Sequence, residues 1–226
     1  MRLIPVPIKV APQTQGINMR SVMLFGDSNT HGTLPVPALG QGSRMARADR
    51  WTTHFAAAVP GWEVIVEGQP GRTTVHDDPV EGAHRNGLTI LPALMESHAP
   101  LDAVIIMLGT NDLKPRFGVP PVDIALGLER LVGVIRLANP ACHIMLVAPS
   151  PIAEAGCLAE MFGGGAAKSS QLATVIAAAA ARAGTAFFDA SAHLTPSPID
   201  GIHYAPDGMR AFGLALAQAF RHHFAE

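Results

Sequence analysis

The sequence predicts an α/β domain of three layers, a five-stranded parallel sheet covered by helices on both faces. Three observations predict it. Short apolar runs alternate about five times with stretches of helical periodicity, the pattern of strand–helix–strand units with right-handed crossovers. One run, Ala103-Val104-Ile105-Ile106-Met107-Leu108, is continuously apolar, as strands buried on both faces are. Several runs end in glycine and small polar residues, so polar side chains collect beyond the carboxyl ends of the strands, where open parallel sheets bind ligands.

The elements follow in order. The first strand, 21–25, breaks at Gly26 and is followed by Asp27-Ser28-Asn29-Thr30, side chains that favour turns and helix N-caps. A long loop, of the kind that is functional or disordered, leads to a short helix over 50–59 with Trp51, His54, Phe55 and Ala58 at helical spacing. A strand over 62–67 ends at Gly68-Gln69-Pro70-Gly71-Arg72, a tight turn where backbone can approach a ligand. A helix over 88–98, interrupted at Pro92, precedes the central strand 101–108, which ends at Gly109-Thr110-Asn111-Asp112. A helix over 122–138 carries Ile124, Leu128, Leu131, Ile135 and Ala138 on one face. The fourth strand spans 143–148. The glycine triplet 163–165 has no Gly-Lys-Ser/Thr after it, so it is read as a flexible joint rather than a phosphate loop. A helix over 169–183, a strand over 185–188 and a final helix over 206–221 complete the chain.

Composition narrows the function classes. Hydrophobic residues are 48% of the 226, enough for a sizeable core, whereas charged residues are 15% and the net charge is −2. No basic run points to nucleic acid or a membrane surface, and no apolar run reaches the roughly 18 residues of a membrane span. The two cysteines, Cys142 and Cys157, lack metal-site spacing and secretory context; free thiols and a cytoplasmic protein are expected. Residues 1–18 are Pro-punctuated, with no signal-peptide core, and read as an N-terminal extension that could pack on a neighbouring subunit; 19–226 read as one domain, with Met19 an alternative start.

Four polar clusters supply the parts of an acyl-transfer site. Ser28 offers a hydroxyl at a strand end, but serine needs an adjacent base. Asp200 and His203 lie three residues apart, so one loop can place a carboxylate on one imidazole nitrogen while the other faces Ser28. The N–H groups of Ser28 and Gly71 and the side-chain amide of Asn111 can converge on one oxygen as an oxyanion hole. His31 is a rival base, less favoured because its nearby carboxylate, Asp27, suits a capping role. Asn29, Thr33, Lys114, Phe162 and Ile202 are candidate substrate contacts, with ordinary loop packing as the competing reading.

Gly26-Asp27-Ser28, Gly71, Gly109-Thr110-Asn111-Asp112 and Asp200-Gly201-Ile202-His203 resemble the four ordered blocks of the SGNH (GDSL) hydrolases. The likeness runs from about Ser21 to the C-terminus. Within the family, Arg72-Thr73-Thr74, the run from Val104 to Asp112 and Asp123-Ile124-Ala125-Leu126-Gly127 are similar to bacterial arylesterase/acyltransferases. The resemblance implies a flavodoxin-like strand order and no metal or cofactor. It implies Ser28 as nucleophile, His203 as base and then acid, Asp200 as its orienter, and Ser28, Gly71 and Asn111 as oxyanion donors. It also implies homo-oligomers in which neighbours narrow the site entrance. Asn29 stands where relatives usually carry leucine and Thr33 where acyltransferase-like members carry tryptophan, which predicts a wider, more polar pocket.

The function expected is hydrolysis of short-acyl carboxylic esters, aryl or alkyl, through an acyl-enzyme, with possible transfer to alcohols or peroxide. The alternative from another class is a non-catalytic α/β module binding small anions or sugars. A flavin- or nucleotide-binding reading lacks the glycine-rich loop after the first strand.

Overall fold

A computed structural model describes residues 19–224. Residues 1–18, read above as an extension, lie outside the described residues. Five parallel strands, β1 (Arg20–Gly26), β2 (Trp62–Gly68), β3 (Ala103–Met107), β4 (His143–Ala148) and β5 (Ala186–Asp189), form one sheet in the order β2-β1-β3-β4-β5. This is the flavodoxin-like order that the resemblance implies.

Alternation along each strand divides the core in two. Met23, Phe25, Val104, Ile106, Ile144 and Leu146 face one layer, built from α3 (Gly87–Ser97), α4 (Pro121–Ala138) and α6 (Leu172–Ala183). Val22, Leu24, Ala103, Ile105, Met145 and Val147 face the other, where α2 (Trp51–Ala58) packs on α7 (Met209–Phe224). Trp51, Phe55, Phe212 and Phe220 meet there edge to face, with centroids 5.2 Å apart for Trp51 and Phe212 and 5.4 Å for Phe55 and Phe220.

The helices depart from the sequence reading in several places; the last, expected over 206–221, runs Met209–Phe224 after a 3₁₀ turn at Pro206–Gly208. Pro92 does not interrupt α3, which runs through it from an Asn86 cap that accepts from the Leu88 N–H. Leu91 and Met95 on either side are buried against the sheet, and that packing outweighs one lost backbone bond. The segment over 169–183 is not one helix: α5 (Gly165–Ser169) ends where the Ser169 hydroxyl turns to the Ala166 carbonyl and accepts from Ile152 N–H, and α6 starts at Leu172. The glycine triplet is therefore not a joint but the entry to a helix, with Gly165 itself buried. In α4, Ile124, Leu128, Leu131 and Ile135 are buried as expected, but Ala138 is exposed in the last turn.

Register brings the loops together. Gly26 at the end of β1 pairs with Gly68 of β2 and Met107 of β3, so the segments beginning at Asp27, Gln69 and Leu108 leave the sheet at the same edge. A four-residue helix, α1 (Ser28–His31), begins directly after β1. No helix among the described residues is long and apolar enough to cross a membrane.

The α2–α7 contact gives a stability test. A side-chain carbon on Gly213 would lie 2.5 Å from the Trp51 carbonyl oxygen and 3.2 Å from the Phe55 nitrogen. Gly213→Ala, which raises helix propensity, is expected to lose about 1 kcal/mol net because overpacking against backbone exceeds the helical gain. Urea unfolding measures it; a stabilised variant would contradict the close approach.

Candidate active site

Ser28 is the first residue of α1, and Asp27 caps that helix by accepting the Asn29 N–H at 2.9 Å. The turn presents the Ser28 hydroxyl 3.0 Å from Nε2 of His203. Nδ1 of His203 lies 2.7 Å from Oδ2 of Asp200. With Nδ1–H donating to the carboxylate, Nε2 is left as the acceptor for the serine proton. Ser28, Asp200 and His203 are therefore brought together as the sequence predicts.

The Asp200 carboxylate has further partners. Its Oδ2 accepts the Val36 N–H at 2.7 Å, and its Oδ1 accepts the N–H groups of Ile202 and His203, both at 2.9 Å. Burial alone would raise its pKa; the His203 side-chain hydrogen bond and the three backbone ones outweigh that and hold it below the usual carboxylate range. The turn requires glycine at 201: φ is +72° there, and a side-chain carbon would sit 1.9 Å from the Ala153 carbonyl oxygen.

The three expected oxyanion donors, Ser28, Gly71 and Asn111, border one cavity of about 200 Å³ together with His203. Asn111 starts a 3₁₀ turn after β3, and its amide nitrogen is held by the Arg72 carbonyl at 3.1 Å, with Asp27 Oδ2 at 3.4 Å. Arg72, 3% exposed, locks the loop that carries Gly71. Its guanidinium donates to the Gly26 carbonyl at 2.8 Å and to the Glu67 carbonyl, and lies 4.3 Å over the Phe25 ring. Burial, partly offset by Glu67 and Asp27, lowers its pKa to about 10. Beside Asn111, the buried carboxylate of Asp112 accepts Thr74 N–H at 3.0 Å, the Thr74 hydroxyl at 2.6 Å and pairs with His76 Nδ1 at 2.8 Å. Two buried charged groups thus fasten the Gly71 and Asn111 loops to the sheet and to each other.

Of the candidate substrate contacts, Thr33, Lys114, Phe162 and Ile202 line the cavity. Asn29 does not. Its position in α1 turns it inward, where its side-chain amide donates to the Ile202 carbonyl at 3.4 Å, while its backbone carbonyl accepts from Trp51 Nε1 at 3.0 Å. His31, the rival base, has its Nδ1 on the Thr33 hydroxyl at 3.1 Å. Sequence reasoning missed Val36, Pro70, Glu81, Leu158 and Met161, which also line the cavity. Met161, adjacent to Phe162 before the glycines, was the one with a signal; Glu81 lies in a charged loop that gave none. No cluster of three or more metal-ligating side chains exists among the described residues.

A family profile of GDSL-like lipases/acylhydrolases matches residues 24–211. The chain belongs to that family. A carbohydrate acetylesterase from Sinorhizobium meliloti is 40% identical with a TM-score of 0.87, over 91% of this chain and 100% of the other. The aryl esterase of M. smegmatis is 38% identical with a TM-score of 0.86, over 90% of this chain and 99% of the other. A lipase/acylhydrolase from Enterococcus faecalis, 20% identical over 91% of this chain and 97% of the other, shares the fold with a TM-score of 0.63. A comparison with curated sequences finds no match. This hydrolase is thus a carboxylic ester hydrolase, and the binding-module alternative finds no support among its neighbours.

Asp27 sits buried beneath the serine of this hydrolase, and burial pushes its carboxyl from 3.8 up to about 6 against the Asn29 hydrogen bond and the charges of His203 and Arg72. A raised carboxyl contributes stability that is full below about 3.8 and is lost as pH rises through about 6. Asp27→Asn is therefore expected to stabilise the fold by about 2 kcal/mol at pH 8 and to give no gain at pH 4. Urea unfolding at the two pH values checks this; an equal gain at both would contradict a buried ionised Asp27.

Proposed function

We propose that the chain is a serine esterase that acts on short-acyl carboxylic esters through an acyl-enzyme on Ser28. The observation that carries the reading is the hydrogen-bonded series Ser28–His203–Asp200, at 3.0 Å and 2.7 Å, whose Ser28 and His203 line the cavity. His203 Nε2 takes the Ser28 proton as Oγ attacks the ester carbonyl carbon, and Asp200 steadies the imidazolium that forms. The developing oxyanion meets the N–H groups of Ser28 and Gly71 and the amide of Asn111. Each such donor is worth about 3–4 kcal/mol in the transition state. His203 then protonates the departing alkoxide, and the alcohol leaves. Water, activated by the same imidazole, attacks the acyl-enzyme and releases the acid; an alcohol or peroxide in its place would give transfer.

The small cavity supports a short acyl group. The likeness to an aryl esterase and to a carbohydrate acetylesterase supports acetyl esters of aryl alcohols or sugars as substrates. Two free cysteines support a reducing, cytoplasmic setting.

Hydrolysis of p-nitrophenyl esters of increasing acyl length tests the reading. Activity is expected to be highest on acetate and to fall with length. Ser28→Ala and His203→Ala are each expected to lower kcat by about 10⁴ or more, since triad members act as a unit. More than about a tenth of the activity surviving in either variant would break the assignment.

A further inference from the structure

The cavity has two unlike walls. Leu158, Phe162 and Ile202 are apolar, while Glu81 and Lys114 also line the space, with the Lys114 ammonium 5.7 Å from the centre of the Phe162 ring. Lys114 is 2% exposed, and its Nζ donates to Glu81 Oε1 at 2.8 Å. The next carboxylate, Asp78 Oδ2, is 3.8 Å away, beyond hydrogen-bond reach. An ammonium carries three donors, so Lys114 has hydrogens to spare among the described residues. Glu81 likewise uses Oε1 for the pair, and its Oε2 has no hydrogen bond among the described residues. That oxygen lies beside the oxyanion hole: a side-chain carbon on Gly71 would be 2.7 Å from it.

We propose that Glu81 and Lys114 form a subsite that reads a hydroxyl close to the ester carbonyl of the substrate. The proposal rests on the esterase reading above and goes on to name what the substrate carries. A hydroxyl donates one hydrogen bond and accepts others, so one such group satisfies both the unmet acceptor on Glu81 and an unmet donor on Lys114. A second charge of either sign on the substrate would satisfy one member and repel the other. A plain alkyl or aryl group would strip water from both and return nothing. The favoured esters are therefore partly acylated polyols or esters of hydroxy acids, with the carbon skeleton on the Phe162 wall.

A simpler role is available to the same side chains. Arg116 donates to Asp78 at 3.0 Å, and with Lys114 it could fasten the loop bearing Asp78 and Glu81 over the site and nothing more. Fastening affects all esters alike, whereas hydroxyl reading separates them, so a ratio of substrates tells the two apart.

The test compares kcat/KM for two matched pairs. Glycerol monoacetate against n-propyl acetate varies the alcohol half, and methyl glycolate against methyl acetate varies the acyl half. Wild type, Glu81→Ala and Lys114→Met are each measured on all four esters from one preparation, so the active fraction cancels in every ratio. Each ratio is divided by the hydroxide-catalysed ratio of the same pair, because a nearby hydroxyl activates an ester by itself. So corrected, wild type is expected to favour the hydroxylated member of one pair by about tenfold, the lower end for a hydrogen bond to a charged group, and both variants are expected to bring the corrected ratio near one. The pair that responds shows which half carries the hydroxyl. No corrected preference in wild type, or a corrected preference that survives in either variant, overturns the proposal. Ser28→Ala is the control: activity that does not depend on Ser28 would sink the esterase reading, whereas Ser28-dependent hydrolysis without discrimination sinks only the subsite.

Discussion

A carboxylate removed from water must find its partners within the protein, and the rest of this site depends on how Asp200 finds them. Four hydrogen bonds converge on it, from the backbones of Val36, Ile202 and His203 and from the His203 ring. Together they do two things. They keep the group ionised despite burial, and they fix the ring so that Nε2 faces Ser28. The Val36 bond ties the long loop after α1 to the loop before α7, so the Asp200–His203 pair is fastened to both loops. Without a charged Asp200, neither the tautomer nor the direction of His203 would be specified.

The groups proposed as oxyanion donors depend on a different buried charge. Arg72 spans the carboxyl ends of β1 and β2 by donating to Gly26 and Glu67, and its own carbonyl orients the Asn111 amide. A guanidinium buried this far is costly alone; the two strand-end carbonyls and the face of Phe25 offset that cost. The parallel register makes the arrangement possible, because it ends β1, β2 and β3 at one level. Positioning by rigid strand ends, with loops pinned by buried ions, is what a preorganised transition-state site requires.

Much of this was legible in the chain. The runs around β1 and β3 are apolar without interruption, and each ends in glycine plus small polar residues, so strand, turn and site residue announce themselves together. Asp200 and His203 are close enough for one turn to join them. What was not legible has physical reasons. Val36 contributes a backbone N–H, which every residue type but proline supplies, so its side chain carries no sign of the role. Glu81 reaches the cavity from a loop whose path is set by Asp78, Lys114 and Arg116, a tertiary ion cluster invisible to local pattern. Asn29 looked like a pocket residue because it follows the serine, but a helical turn rotates neighbours away from each other, and it points into the core instead. Pro92 suggested a break, yet burial of Leu91 and Met95 carries α3 past it.

The central claim is that Ser28 is a nucleophile activated by His203 and Asp200, and covalent trapping tests it most directly. The protein would be treated with a serine-directed fluorophosphonate and the adduct located by peptide mass spectrometry, for wild type, Ser28→Ala and Asp200→Asn. The account predicts a single adduct on Ser28, none in Ser28→Ala, and slow labelling in Asp200→Asn, where the base is no longer held in the right tautomer. An adduct on another residue, or ester hydrolysis by a protein that the reagent does not label, would contradict it.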